Sequence, residues 1–143
     1  MANQPPLSPK DVALAFVDAI NRHDVGRLCT LMTEGHRFID SLGAEVRGRE
    51  PMRRAWLGYF HMVPDFTIRI DHVLCDAQVV ALFGLSRGTF TPDGTLSERN
   101  RWSMPSAWRA IVAGELVAEW QVYADNEPVR IIIANQNSGG GAS

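Results

Sequence analysis

The side chains best suited to chemistry in this chain are carboxylates, and Asp40 and Asp125 sit in the most suggestive settings. Val117–Asp125 reads Val-Ala-Glu-Trp-Gln-Val-Tyr-Ala-Asp. A strand alternates its faces, so Glu119, Gln121, Tyr123 and Asp125 share one side, and Ala118, Trp120, Val122 and Ala124 share the other. The polar side is either an ordinary surface or the polar wall of a pocket. As a wall, Asp125 could activate water or a C–H bond, with Gln121 and Tyr123 as orienting groups. As a surface, Asp125 would cap the turn before Glu127-Pro128. Asp40 follows Arg37-Phe38-Ile39 and precedes Ser41-Leu42-Gly43. It reads either as a partly desolvated base that takes a proton from carbon beside a carbonyl, or as a hydrogen-bond acceptor for the turn.

Other candidates are lining rather than reacting groups. Asn100, Trp102, Met104, Ser106 and Trp108 share one parity of a strand, and Trp56, Tyr59 and Phe60 recur at helical spacing. Such aromatics are usually core; Tyr59 stands out because a buried hydroxyl needs a partner. His23, His36, His61 and His72 show no metal-ligand spacing, although His36 and Asp40 share a strand face. There is no Ser–His–Asp signal and no glycine-rich phosphate loop, so neither a metal nor a cofactor is expected.

The elements that must position these groups are legible. Ser8-Pro9-Lys10-Asp11 is a helix start, and Val12, Ala15, Phe16, Ala19 and Ile20 form one apolar stripe. Asp24 caps a short second helix carrying Leu28, Leu31 and Met32, which Glu34-Gly35 ends. A short strand at residues 37–40 and a brief one at 45–47 precede a third helix with Met52, Ala55, Trp56, Tyr59, Phe60 and Val63, stopped by Pro64. Four strands follow, near residues 66–75, 79–91, 99–112 and 117–125, joined by short turns. Pro105 cannot donate to a ladder, so a bulge or an edge is expected there. Helices followed by a meander make an α+β fold, with the helices on one side of a mostly antiparallel sheet. Met1–Leu7 reads as a flexible lead-in, 8–134 as one domain, and the Gly-rich 135–143 as a disordered tail.

With 143 residues the chain can bury one sizeable core, and a net charge of −2 argues against nucleic acid or an acidic membrane as partner. No apolar run approaches a membrane span and no signal peptide is visible, so a soluble, cytoplasmic protein is expected. Cys29 and Cys75 lack ligand-like spacing and read as reduced, buried thiols.

The order of elements and four local strings resemble the nuclear transport factor 2-like superfamily, in particular its SnoaL-like and ketosteroid-isomerase-like members. The strings are residues 15–24 (AFVDAINRHD), 46–50 (VRGRE), 63–66 (VPDF) and 120–125 (WQVYAD), and Arg87-Gly88-Thr89-Phe90 resembles a Gly-Thr-His segment of the family. The resemblance covers roughly Pro9 to Val129. It implies a conical barrel, a strongly bent sheet around three helices with a deep apolar pocket, and a homodimer through the outer sheet face. It also implies that Asp40 falls at the general base of ketosteroid isomerases, and Asp125 at a catalytic aspartate of SnoaL-like cyclases and limonene-type epoxide hydrolases.

Both relatives' full sets are incomplete here. Phe16 stands where the isomerases place a donor tyrosine, and Ser106 lies near their protonated aspartate. Leu85-Ser86-Arg87 lacks the Arg-x-Asp pair of the hydrolases. The leading expectation is an acid–base enzyme of isomerase, cyclase, lyase or hydrolase type acting on a small, largely apolar organic molecule. Asp125 and Asp40 would be its catalytic pair, their pKa values pushed apart in one cavity. Tyr123, Tyr59, Trp56, Asn100, Trp102, Phe16 and Gln121 would bind the substrate. The alternative is a non-catalytic hydrophobic-ligand carrier or dimeric adaptor of the same fold.

Overall fold

The computed structural model describes residues 5–139, and expectations about Met1–Gln4 and residues 140–143 lie outside them. The elements run α1 (Pro9–Asn21), α2 (Val25–Thr30), β1 (Met32–Ile39), β2 (Glu45–Arg47), α3 (Arg49–Met62), β3 (Thr67–Asp76), β4 (Val79–Thr89), β5 (Arg101–Ala113), β6 (Leu116–Ala124) and α4 (Glu127–Gly139). This is an α+β fold. Its sheet is open, in the order β2-β1-β6-β5-β4-β3. All neighbours pair antiparallel except β1 with β6, which run parallel. The helix α4 carries through residues 135–139, in place of the expected start of a disordered tail. Its Val129 and Ile132 pack on the core, so its apolar positions have a face to bury.

Local chemistry explains most boundaries. Ser8 accepts from the Asp11 N–H at 3.1 Å with Pro9 at the first helical position, and Asp24 accepts from the Arg27 N–H at 2.9 Å to start α2. The second helix is shorter than expected because Met32 already pairs with Val117 as strand. Its buried side chain serves the sheet instead of the helix stripe. Pro105 sits mid-strand with no bulge against β4. It is tolerated because the β6 pairing begins only at Ser106, leaving Pro105 on a local edge. Both cysteines are free, but Cys75 is exposed, because β3 is an edge strand whose far half extends past the helices.

The strings that carry the family resemblance turn out to be latches between elements. The Asn21 side-chain amide donates to the Ile68 carbonyl at 2.9 Å and accepts from the Ile68 N–H at 2.8 Å, acting as an extra strand residue on the β3 edge. His23, at φ 53°, stacks on Phe60 with ring centroids 4.0 Å apart and bonds the Phe66 carbonyl through Nε2 at 2.7 Å. Asp65 accepts from both the backbone N–H (2.7 Å) and the hydroxyl (2.6 Å) of Thr89. Gly48 caps α3 at φ 101°, a conformation that favours glycine, and donates its N–H to the His36 carbonyl at 2.7 Å.

One glycine has no alternative. A Cβ at Gly84 would lie 1.7 Å from the Arg69 carbonyl oxygen, beside the register shift between Ile70 and His72 where β3 bends over β4. Backbone cannot retreat as a side-chain tip can. Gly84→Ala is therefore expected to destabilise the fold by roughly 3 kcal/mol. A thermal melt checks this: a midpoint equal to wild type would show that β3 does not need this close approach.

Candidate active site

The inner face of the sheet and the helices α1 and α3 enclose a cavity of about 250 Å³. Trp102, Met104 and Trp108 of β5, Trp120 and Val122 of β6, Phe38 and Asp40 at the end of β1, and Met52, Trp56 and Tyr59 of α3 line it, with Phe66, Ser86 and Asn126 among others. The rings form a continuous aromatic wall. Trp56 meets Tyr59 edge-on at 6.3 Å, Tyr59 meets Phe66 at 5.0 Å, and Phe66 meets Trp102 at 6.0 Å. Gly88 leaves room for Val63 and Trp102, since a Cβ there would lie 2.4 Å from a Val63 methyl and 3.2 Å from the Trp102 ring.

Asp40 is the only aspartate, glutamate, lysine, arginine or histidine in the lining. Its Oδ1 accepts from the Leu42 and Ala44 N–H groups, both at 2.9 Å, so the turn-cap reading and the pocket reading describe the same residue. Its Oδ2 has no hydrogen-bond partner among the described residues. Beside it, the Asn126 amide donates to the Ser41 hydroxyl. Burial is the one cause acting on the Tyr59 phenol, and it holds the pKa far above the ordinary value, so that hydroxyl is a proton-bearing donor. Ser86 and Ser106 share a hydrogen bond at 2.7 Å. The indole N–H groups of Trp56 and Trp102 are buried with no partner among the described residues.

The polar face of β6 is on the other side of the sheet, and the expectation that it walls the pocket is corrected. Trp120 and Val122 line the cavity, and alternation sends Glu119, Gln121, Tyr123 and Asp125 outward. Burying Trp120, which packs on Phe16 at 4.8 Å, is worth several kcal/mol by area. Turning the strand over would lose that and strand two carboxylates in the core. Asp125 is exposed and accepts the Glu127 N–H at 3.0 Å, starting α4. Tyr123 is 46% exposed. Gln121 accepts from Arg109 at 2.7 Å. The two aspartates therefore do not share a cavity. Phe16 is fully buried in the core between Trp120 and His36 and does not line the cavity. Asn100 is buried but bonded to Gln136 at 3.0 Å, in the short 3-10 turn before β5 and outside the lining. Of the proposed residues, the structure brings together Asp40, Trp56, Tyr59 and Trp102. Phe38, Trp120, Ser41 and Asn126 line the cavity as well, outside the sequence-based expectation. The inward parity of Trp108 and Trp120 was available from alternation.

Glu119 is the buried centre of the outer network. Arg37 donates through Nε at 2.8 Å and through its terminal nitrogen, and Arg109 donates at 2.7 Å, tying β1, β6 and β5 together. Burial alone would raise the Glu119 carboxyl, but the hydrogen bonds from Arg37 and Arg109 outweigh it and hold it below the ordinary range. On the inner face His36 is fully buried, its Nδ1–H donating to the Val117 carbonyl at 2.7 Å, which places a proton on Nδ1.

The SnoaL-like domain family matches residues 13–120, well over half of the sequence. The chain belongs to this family. Solved structures agree on the fold. A protein from Catenulispora acidiphila with a ketosteroid-isomerase-like fold, solved in complex with trimethylamine, superposes with a TM-score of 0.73 at 19% identity, over 86% of this chain and 91% of that one. A SnoaL-like polyketide cyclase candidate from Shewanella denitrificans gives 0.77 at 14% identity, over 89% and 97%. IdmH of Streptomyces antibioticus, also described as a candidate polyketide cyclase, gives 0.73 at 19% identity, over 90% and 99%. No curated protein matches significantly in sequence. At these identities the superpositions establish the nuclear transport factor 2-like fold and not an activity. No helix among the described residues is long and apolar enough to cross a membrane.

Burial lowers the His36 pKa from its ordinary 6.5, against the Val117 hydrogen bond and the Glu119 charge, which raise it. A depressed value means that the unfolded chain binds the proton more readily. His36 thus stabilises the fold fully above pH 6.5, and that contribution falls away as the pH drops toward the folded value. The thermal midpoint should decline from pH 7 to pH 5. His36→Gln, which keeps a donor for Val117, should flatten that decline, and an unchanged slope would remove His36 as its cause.

Proposed function

We propose that this SnoaL-like domain binds a small, largely apolar organic molecule in the cavity, and that Asp40 moves a proton on it. The observation that supports this best is chemical solitude. One carboxylate, with one oxygen held by two backbone N–H groups and the other without a partner among the described residues, reaches a cavity lined mostly by aromatic and aliphatic side chains, with Ser41 and Asn126 beside it. Half-buried at the cavity, it can meet a carbon acid held against the aromatic wall. The proton leaves carbon for Oδ2, the electron pair moves into the neighbouring carbonyl as an enolate, and return of a proton to carbon completes an exchange or isomerisation. A mechanism with Asp125 as partner is no part of this reading, because that residue faces solvent. The small-molecule reading also has support in the trimethylamine complex of the Catenulispora protein.

A second reading, a carrier without chemistry, has one specific observation in its favour: the Oδ1 hydrogen bonds make Asp40 a working turn cap. Incubation with 1-tetralone in D₂O separates the two. The enzyme reading expects deuterium incorporation beside the carbonyl that drops at least about a hundredfold in Asp40→Asn. Exchange no faster than buffer, with the ketone bound, would leave the carrier.

The outer sheet face is proposed to pair with a second copy. Phe83, Ala107 and Tyr123 lie side by side across β4, β5 and β6, with Phe83 and Tyr123 42% and 46% exposed. Leu85 and Pro105 extend the patch. Light scattering should give a dimer for wild type and a monomer for Phe83→Asp. A wild-type monomer at micromolar concentration would end this proposal.

A further inference from the structure

Asn126 stands where a helix cap is expected, and its side chain does not cap the helix. Its carbonyl accepts the Arg130 N–H at 2.9 Å, the first bond of α4. The side chain of a residue so placed ordinarily takes an orphan N–H of its own helix, and asparagine is among the preferred choices. Among the described residues the Asn126 side chain makes no bond to α4. It donates instead to the Ser41 hydroxyl, 85 positions away, while the preceding Asp125 takes the Glu127 N–H at 3.0 Å. The diversion serves the turn that carries Asp40.

Asp40, Ser41 and Asn126 all line the cavity, and all three are half-buried. The β1–β6 ladder ends at Ile39, opposite Gln121, so Asp40 is the first residue past it. Residues 40–44 are then shaped by local bonds. The Asp40 N–H donates to the Ala44 carbonyl at 2.9 Å, the Gly43 N–H donates to the Asp40 carbonyl at 3.0 Å, and Asp40 Oδ1 takes the Leu42 and Ala44 N–H groups. Bonds within a turn fix its shape and leave it free to pivot as a unit. The following strand β2 is a three-residue edge and adds little hold. Among the described residues, the Asn126–Ser41 hydrogen bond is the only one that ties residues 40–44 to anything outside this hairpin. Asn126 is itself anchored, because Val129 and Ile132 of α4 pack on the core and Gln136 donates to Asn100 at 3.0 Å.

We propose that Asn126 is a positioning residue for Asp40. Released from capping by Asp125, its amide clasps Ser41 and holds the turn, so that Asp40 Oδ2 keeps one place in the cavity. Displacing a reacting group by a fraction of its working distance costs rate far more than it costs binding. The proposal rests on the reading of Asp40 as the group that moves a proton, but the clasp itself is measurable without turnover.

In ¹⁵N-labelled full-length protein, the backbone order parameters of Leu42, Gly43 and Ala44 should be those of rigid backbone, about 0.85. Asn126→Ala and Ser41→Ala should each lower them below about 0.6, with the fully buried Leu82 unchanged. Removing both partners should do no more than removing one, since the same bond is lost either way. Ser41→Thr keeps the hydroxyl and should keep the turn rigid. In the 1-tetralone exchange, Asn126→Ala should lose at least about tenfold in kcat with KM little changed, and Ser41→Thr should retain the wild-type rate. A turn that stays rigid in both alanine variants would overturn the proposal. So would a loss confined to KM, the mark of a ligand contact. If Asn126→Ala undocks α4, Ser41→Ala decides, because it removes the bond from the other side. A wild type that exchanges nothing would end the Asp40 chemistry, and the order parameters would still judge the clasp.

Discussion

The alternation of β6 is the constraint on which the rest depends. Trp120 and Glu119 are adjacent, and the strand cannot place both on one side. With Trp120 inward, the strand packs on Phe16 of α1 and contributes the indole and Val122 to the cavity. With Glu119 outward, one carboxylate collects Arg37 and Arg109 from the two flanking strands. The parallel β1–β6 pairing, the least local in the sheet, is thus held from both faces. The aromatic core holds it below, and a shielded ion network with Glu45 and Gln121 at its margin holds it above.

That same pairing is irregular, and the irregularity explains a buried histidine. Met32 pairs with Val117 and Arg37 pairs with Glu119, so β1 carries extra residues through the interval. Backbone groups there need partners that a regular ladder would have supplied. His36 donates to the Val117 carbonyl, Arg49 to the Met32 carbonyl at 2.7 Å, and Gly48 to the His36 carbonyl. A polar ring in the core is the consequence. The bulge also sets the phase in which β1 delivers Phe38 and Asp40 to the cavity.

A pocket built this way inherits the character of the inner faces. The strands reach it largely with apolar side chains, Ser86 of β4 excepted, and α3 adds the aromatic stripe of Trp56 and Tyr59. The rest of its polar lining comes from strand ends and connections: Asp40 follows β1, and Ser41 and Asn126 lie in loops. The family strings contribute differently. Asn21, His23, Gly48 and Asp65 fasten helices to strands, which accounts for a resemblance strong in fold and weak in chemistry.

The sequence by itself determined the helix caps, the order of elements, the approximate strand bounds, the family and the two faces of β6. These depend on local hydrogen bonding and on a period of two or 3.6, which neighbouring residues carry among themselves. It also located Asp40, because a carboxylate at a strand-to-turn junction is a local pattern. Only the tertiary structure decided which face of β6 meets the helices, and hence that Asp125 caps α4 at the surface while Trp120 looks inward. That choice compares burial of a tryptophan with burial of carboxylates across contacts distant in sequence. The same holds for Asn100, claimed by Gln136 of α4, and for Phe16, enclosed by Trp120 and His36. Two indole N–H groups buried without a partner among the described residues are likewise invisible in the chain, since an unmet donor is defined by everything that surrounds it.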